Sequence, residues 1–450
     1  MRRDETVTQD ALTRNALTYD ALIIGAGPAG STAAILLAKA GWSVGIVEKT
    51  AFPRRKVCGE FISATSMPLL RELGVGNAFF AEAGPEVQRV GLFAGDAVLE
   101  SAMPRGEDQA GWGRALGREH LDLLLLEAAV RTGAELWQPW SAKELRGDPG
   151  CYRLRIASAD AERELAAPVI ICAYGSWQSG ALPLQQQRPH LPSDLLAFKA
   201  HFTEGALPQG LMPLLVFPGG YGGMVESDAG RLSLSCCIRR DRLQECRRLY
   251  AHERAGGAVV AHIMASCLGV REALRPARLR GAWLSAGPIR PGIRVRSRED
   301  VFLVGNLAGE AHPIVAEGIS MAMQSAWLLS RRLIANQEDV VRRRHIQELR
   351  TAYAKDWISW FGMRLRAAGA FAALATRPAV TTLLLPVLER FPKILSIGAE
   401  LSGKTRQVVP AKRIQVTDEA PGRASIPVQP STGAASPGRL SAPDNRDART

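Results

Sequence analysis

The sequence predicts an α/β protein in which a parallel sheet is assembled from two separated stretches of chain. A mainly antiparallel sheet is inserted between them and a helical C-terminal region follows. Three observations predict this. The short apolar strand Ala21–Ile24 runs into a glycine-rich turn and helix, then into a second strand, 43–47, that ends in Glu48. This compact strand, helix, strand unit demands a parallel sheet and a right-handed crossover. Another apolar strand and glycine turn, residues 301–309, returns late in the chain. Between them, Ala197 Phe198 Lys199 Ala200 His201 Phe202 and Leu232 Ser233 Leu234 Ser235 alternate as half-exposed strands do, around the glycine-rich residues 218–223.

The elements follow in order. Residues 1–18 are expected to form a flexible leader, and 19–190 the first part of the dinucleotide-binding unit. Within that part a helix runs from about Ala29 to Ala40 and stops at Gly41, a residue suited to the left-handed conformation. Arg118 begins a second helix with Leu121, Leu124, Leu125 and Ala128 on one face, and 168–173 is a buried strand. Residues 191–290 form the substrate-facing sheet, 291–335 the second part of the first unit, and 336–402 a helical region. There the stretch 357–401, broken by Pro378, Pro386 and Pro392, is expected to fold as short packed helices. From 403 to 450 the composition shifts to Pro, Ser, Ala and Arg without periodicity, which is the signature of a disordered tail.

Composition narrows the function. The chain has 450 residues, 46% of them apolar, enough for a large enzyme core. Its net charge of +12 is scattered rather than gathered into a nucleic-acid groove. Seven cysteines show neither CxxC nor metal-ligand spacing with the seven histidines, so no metal site is expected and a reducing cytoplasm is the simplest compartment. No run reaches the roughly 18 apolar residues of a membrane span. Residues 379–394 crowd Leu383, Leu384, Leu385, Val387, Leu388 and Phe391 beside Arg390 and Lys393, which suits either packing or a peripheral contact with the inner face of a membrane.

The chemistry starts at Gly25 Ala26 Gly27 Pro28 Ala29 Gly30, a GxGxxG placed after a strand and at the start of a helix. Gly25 permits the tight turn, Gly27 lets backbone approach a pyrophosphate, and Gly30 lets helix pack on strand. The phosphates then meet the free N–H groups of a helix N-terminus, where Pro28 loses nothing by lacking one. Glu48 stands near the distance of roughly 20 residues at which an acid binds a ribose hydroxyl. This unit is Rossmann-like, and it does not distinguish NAD from FAD. The late turn Gly305 Asn306 Leu307 Ala308 Gly309, followed by His312 Pro313 and the helix from Glu317, suits a cofactor whose far half ends in a ring needing its own cradle.

On three separated motifs the chain resembles the large FAD-dependent family that includes geranylgeranyl reductases and aromatic-ring monooxygenases. They are residues 25–30 with Glu48, Arg118 with Leu121 and Asp122, and residues 305–309. The resemblance implies FAD, held by Gly25, Gly27, Pro28, Ala29, Gly30, Glu48, Lys49, Cys58, Gly59, Arg118, Gly305, Asn306, Ala308, Gly309, Gly318 and Ile319. It also implies that the N-terminus of the late helix faces the flavin's pyrimidine edge, where it stabilises charge on the reduced ring. Cys58, in the segment Lys56 Val57 Cys58 Gly59 Glu60 Phe61, is the candidate catalytic residue, and this segment is similar to one in the reductase branch. Two departures stand out. Asn306 occupies the position of the aspartate that binds ribitol, and Tyr174 that of an aspartate tied to nicotinamide use in the monooxygenase branch. A hydrophobic isoprenoid-like or polyketide-like substrate is expected, with double-bond reduction favoured and hydroxylation by NAD(P)H and O₂ as the alternative. A nicotinamide donor, if used, binds transiently, because no second GxGxxG is present. The oligomeric state is left open.

Overall fold

In the computed structural model the strand Ala21–Ile24 sits at the centre of a five-stranded parallel sheet. Val169–Cys172 and then Phe302–Leu303 flank it on one side, Val44–Val47 and then Glu135–Trp137 on the other. The structure describes residues 16–106, 111–175, 182, 189–296, 300–404 and 408–409. The expected leader up to residue 15, Ser176 and the tail from 410 lie outside the described residues.

Central strands of this sheet carry only apolar residues and glycine, as a parallel sheet covered on both faces requires. The helix Pro28–Lys39, called the phosphate helix below, packs against Arg118–Arg131 and against Gly318–Ala335, the ring helix. Tyr152, Leu154, Ile156 and Leu165, from a small sheet built on Ser141–Arg146, Tyr152–Ala157 and Glu162–Ala167, share the same core. Leu17–Thr18, expected to belong to the leader, instead pairs in parallel with Leu165 and Ala166 at the edge of this small sheet.

The inserted sheet has seven strands, in the order Arg278–Ile289, Leu195–Thr203, Leu232–Arg239, Gly220–Glu226, Leu211–Phe217, Arg89–Ala94, Ala97–Ala102. All neighbours run antiparallel except Leu211–Phe217 with Arg89–Ala94. Its last two strands come from within residues 19–190, before the sheet's main stretch begins. Residues 218–223 make a hairpin whose two-residue turn is Pro218 and Gly219, with Gly219 at φ 82°. One face of the sheet buries Phe198, Ala200, Phe202, Leu234 and Cys236 under the helices Arg240–Leu249, Ala255–Ser266 and Leu268–Leu274. Because strand side chains alternate, Ala197, Lys199, His201, Ser233, Ser235 and Cys237 point to the opposite face, toward the cofactor unit.

The C-terminal region differs from its expectation. A continuous helix, Ile346–Ala375, starts well before 357 and buries Tyr353, Trp357 and Phe361. No proline interrupts it before Pro378, which opens the next helix, Pro378–Arg390, where its missing N–H costs nothing. Pro386 lies inside that helix, and Lys393–Ala399 follows. The tail also begins later than its composition suggests, since Ser402, Gly403 and Lys404 are buried, as are Val408 and Val409. No helix among the described residues is long and apolar enough to cross a membrane.

Candidate cofactor and substrate site

Two glycines of the first turn are imposed by the protein itself. A Cβ at Gly25, whose φ is 103°, would lie 2.7 Å from Tyr174 Cα, and one at Gly30 would lie 1.9 Å from the Gly25 carbonyl oxygen. Gly27 is different, because nothing in the protein comes closer to its added Cβ than Arg118 Nη2 at 3.9 Å. Packing within the protein therefore does not exclude a side chain at Gly27, and the space beside its backbone is open to a ligand.

Charged groups converge on that point. Glu48, 2% exposed, accepts hydrogen bonds from Ala26 N–H at 2.9 Å, Thr50 N–H at 2.9 Å and Arg54 Nη1 at 3.1 Å, so this carboxylate braces the turn. Arg118 is gripped by Asp122 four residues on, through Nε at 2.6 Å and Nη2 at 2.8 Å. Burial, then the neighbouring guanidiniums of Arg54 and Arg118, push the Lys56 ammonium down to about 8. Three cations and two acids thus surround a helix N-terminus, a balance suited to a diphosphate. Lys49 lies exposed beside this cluster.

The second turn is folded onto the first. A Cβ at Gly305 would lie 3.2 Å from Ala29 Cβ and 3.5 Å from Ala322 Cβ, so the late turn rests on the phosphate helix and the ring helix together. Its N–H donates to Ser325 Oγ at 3.0 Å. Gly309 is required because a Cβ there would meet the Trp357 ring at 2.2 Å, and Ala308 is buried. The Asn306 carbonyl accepts from Arg294 Nη1 at 2.9 Å, while its side-chain amide reaches Glu310 only at 3.4 Å. Gly318 opens the ring helix with nothing within 4 Å of an added Cβ, and Ile319 behind it is buried. Gly27 and Gly318 therefore mark two helix N-termini with room for a ligand, one at each end of the site.

The segment after Cys58 connects these ends to the inserted sheet. Cys58, half-buried, accepts a 3.5 Å hydrogen bond from Glu60 N–H and lies against the Arg118 guanidinium. Gly59 approaches the sheet closely, with Ser235 Oγ 3.4 Å from its Cβ position. Glu60 adopts φ 64°, a strained conformation for a residue with a side chain. Its buried carboxylate pairs with Lys199 and with His201 Nε2 at 2.9 Å. Burial alone would raise this carboxyl, but the His201 hydrogen bond and the Lys199 charge outweigh it and hold the group well below the carboxylate range. Arg55 Nη2 can only donate to His201 Nδ1, 3.2 Å away, so His201 donates through Nε2 to Glu60.

Opposite the late turn, Tyr221 Oη lies 3.2 Å from His312 Nδ1. Burial pushes the His312 imidazolium down and the Tyr221 phenol well up, so an uncharged imidazole faces an un-ionised hydroxyl at neutral pH. Around the pair, Ala197, Cys237, Ile289, Ala372, Val57 and Ile314 form an apolar wall. The glycine-rich residues 218–223 are a hairpin that delivers Tyr221. Sequence reasoning gave no role to Lys199, His201 or Lys404, and saw Glu60 only as part of the cysteine segment.

A parallel sheet whose central strand feeds one phosphate-binding turn, with a second turn laid on the same helix, defines a dinucleotide-dependent redox enzyme. Residues 18–210 match the FAD binding domain family. It is an FAD-dependent enzyme. The chain is 27% identical over 427 residues to conditioned medium factor receptor 1 of Dictyostelium discoideum, covering 86% of this chain and 74% of that protein. It is 33% identical over 117 residues to menaquinone reductase of Mycobacterium tuberculosis, but this match covers only 26% of the chain and 28% of that protein. Among solved structures the myxobacterial chondrochloren halogenase CndH superposes with a TM-score of 0.70 over 86% of this chain and 91% of that one, at 18% identity, a likeness of fold. The comparisons support the wider flavin superfamily and not the geranylgeranyl reductase branch in particular.

Proposed function

We propose that this enzyme uses O₂ and a transiently bound NAD(P)H to modify an electron-rich aromatic or polyketide ring. What carries this reading is extent. The likeness of fold to a flavin-dependent halogenase covers 86% of this chain, whereas the likeness to menaquinone reductase is confined to 117 residues. Bound FAD, once reduced, supplies the electrons that activate O₂. The chain's own residues then have distinct tasks. Gly27, Arg118, Arg54 and Lys56 would hold the diphosphate, and Gly305, Asn306 and Gly318 would flank the ring end. The apolar wall excludes water, and Tyr221 would orient a substrate hydroxyl by accepting its hydrogen bond while donating its own to His312 Nδ1.

Phenolic and resorcinol substrates incubated with NADPH under ¹⁸O₂, with and without bromide, test the reading. Hydroxylation incorporates one labelled oxygen and sends the other to water; bromination consumes halide. Either product supports it. Tyr221→Phe should lower turnover by roughly a hundred-fold with FAD still bound. A product that gains two hydrogens without O₂ returns the reductase reading, which the Cys58 and Gly59 segment and the menaquinone reductase match favour.

We also propose a peripheral membrane contact at residues 379–394 and just beyond. Leu383 is 76% exposed, and Val387, Phe391, Ile397 and Leu401 are exposed on the same C-terminal helices, beside Arg390 and Lys393. Co-sedimentation with phosphatidylglycerol vesicles tests this, and Leu383→Glu with Phe391→Glu should abolish it. Equal sedimentation of the double variant would rule the contact out.

A further inference from the structure

The turn Glu400–Lys404 of the C-terminal region reaches back into the cofactor site. Gly403, at φ 95°, makes a bend that only glycine fits, because a Cβ there would lie 2.5 Å from Arg364 Nε. Arg364 is itself buried. The bend aims Lys404 inward, where its side chain is 7% exposed. Its Nζ donates to the Val315 carbonyl at 2.6 Å and to Glu317 Oε1 at 3.1 Å, and it lies 5.1 Å above the Phe61 ring. Val315 and Glu317 belong to the loop that caps the ring helix; Phe61 follows Cys58, Gly59 and Glu60. One ammonium therefore ties together the two loops on either side of the site's ring end.

Glu317 occupies the N-cap of the ring helix and its side chain is fully buried. Its second oxygen accepts from Ser63 Oγ at 3.0 Å, and Ser63 in turn meets Thr65 at 2.7 Å and Ser320 at 3.1 Å. This network joins the same two loops, but hydroxyls cannot neutralise a carboxylate. Left unbalanced, Glu317 would set a negative charge at the helix end whose N–H groups serve the flavin. It would repel the electron-rich ring, and the reduced ring most. Lys404 supplies the balancing charge.

We propose that Lys404 is a positioning residue for the ring end of the FAD site, acting through Glu317 to keep the ring-helix N-terminus available to the cofactor. This is independent of which substrate the enzyme takes. In the full chain, Lys404→Met should raise the FAD dissociation constant roughly ten-fold or more and lower the flavin midpoint potential. Adding Glu317→Gln to that variant should restore most of both, because the uncompensated charge is gone while Ser63 keeps its acceptor. Lys404→Met with native affinity and native potential overturns the proposal. So does a double variant in which the two effects merely add, since that result marks packing rather than charge. Should Lys404→Met fail to fold, Lys404→Arg and Lys404→Gln decide: retention of FAD by Arg and loss by Gln supports the charge role, and equal retention overturns it.

Discussion

Gly27 and Gly30 stand in one turn, yet substitution at each should fail differently. Gly30 is fixed by the Gly25 carbonyl, so Gly30→Ala must shift backbone and lower the melting temperature of cofactor-free protein. Gly27 has free space around it, so Gly27→Val should leave that melting temperature unchanged and yield colourless protein. Equal melting losses in both, or a yellow Gly27→Val, would contradict the assignment. Lys56 gives a pH signature. Its free ammonium titrates near 8, and a bound diphosphate favours the charged form. FAD affinity should therefore be greatest below that pH and fall as pH rises through it, as titrations at about pH 6.5 and about pH 9.5 would reveal. Lys56→Met should flatten the difference. Glu48 and the glycines were legible because their constraint is local, whereas Lys56 stood out only as part of the cysteine segment. Lys199 and His201 were not legible. Alternation says which residues share a strand face, but it cannot say that Glu60, 139 and 141 residues away, covers that face.

Among the elements, helix and strand positions around the two glycine turns follow the sequence closely, because a turn residue and a cap fix both ends of each. The C-terminal helices were less legible. Proline marked breaks correctly at Pro378, but the helix before it began at Ile346, where no apolar periodicity stood out. The tail boundary was misplaced because composition changes at 403, whereas burial of Gly403 and Lys404 depends on Arg364 and Glu317 far away in sequence. This separates two truncations. A chain ending at Ser402 should lose FAD on gel filtration. One ending at Val409, which retains Lys404 and the buried Val408 and Val409, should keep it. Loss of flavin from both would give residues beyond 409 a part in the site.

At the scale of the molecule, the chain leaves the parallel sheet, builds a second sheet, and returns to place Gly305 against Ala29. The return was visible as an apolar strand before a glycine turn. What remained hidden was that Arg89–Ala94 and Ala97–Ala102 leave the first stretch to extend the second sheet, since partners so distant carry no local signal. The central claim is that two turns far apart in sequence and adjacent in the fold hold one FAD, adenosine half on the first and ring on the second. Its most direct measurement is the identity and amount of flavin released by heat from purified protein and separated by chromatography. The account predicts one FAD per chain. Stoichiometric FMN, which has no adenosine half for the turn at Gly27 and Glu48, or a chain that takes up no flavin when FAD is added, would contradict it.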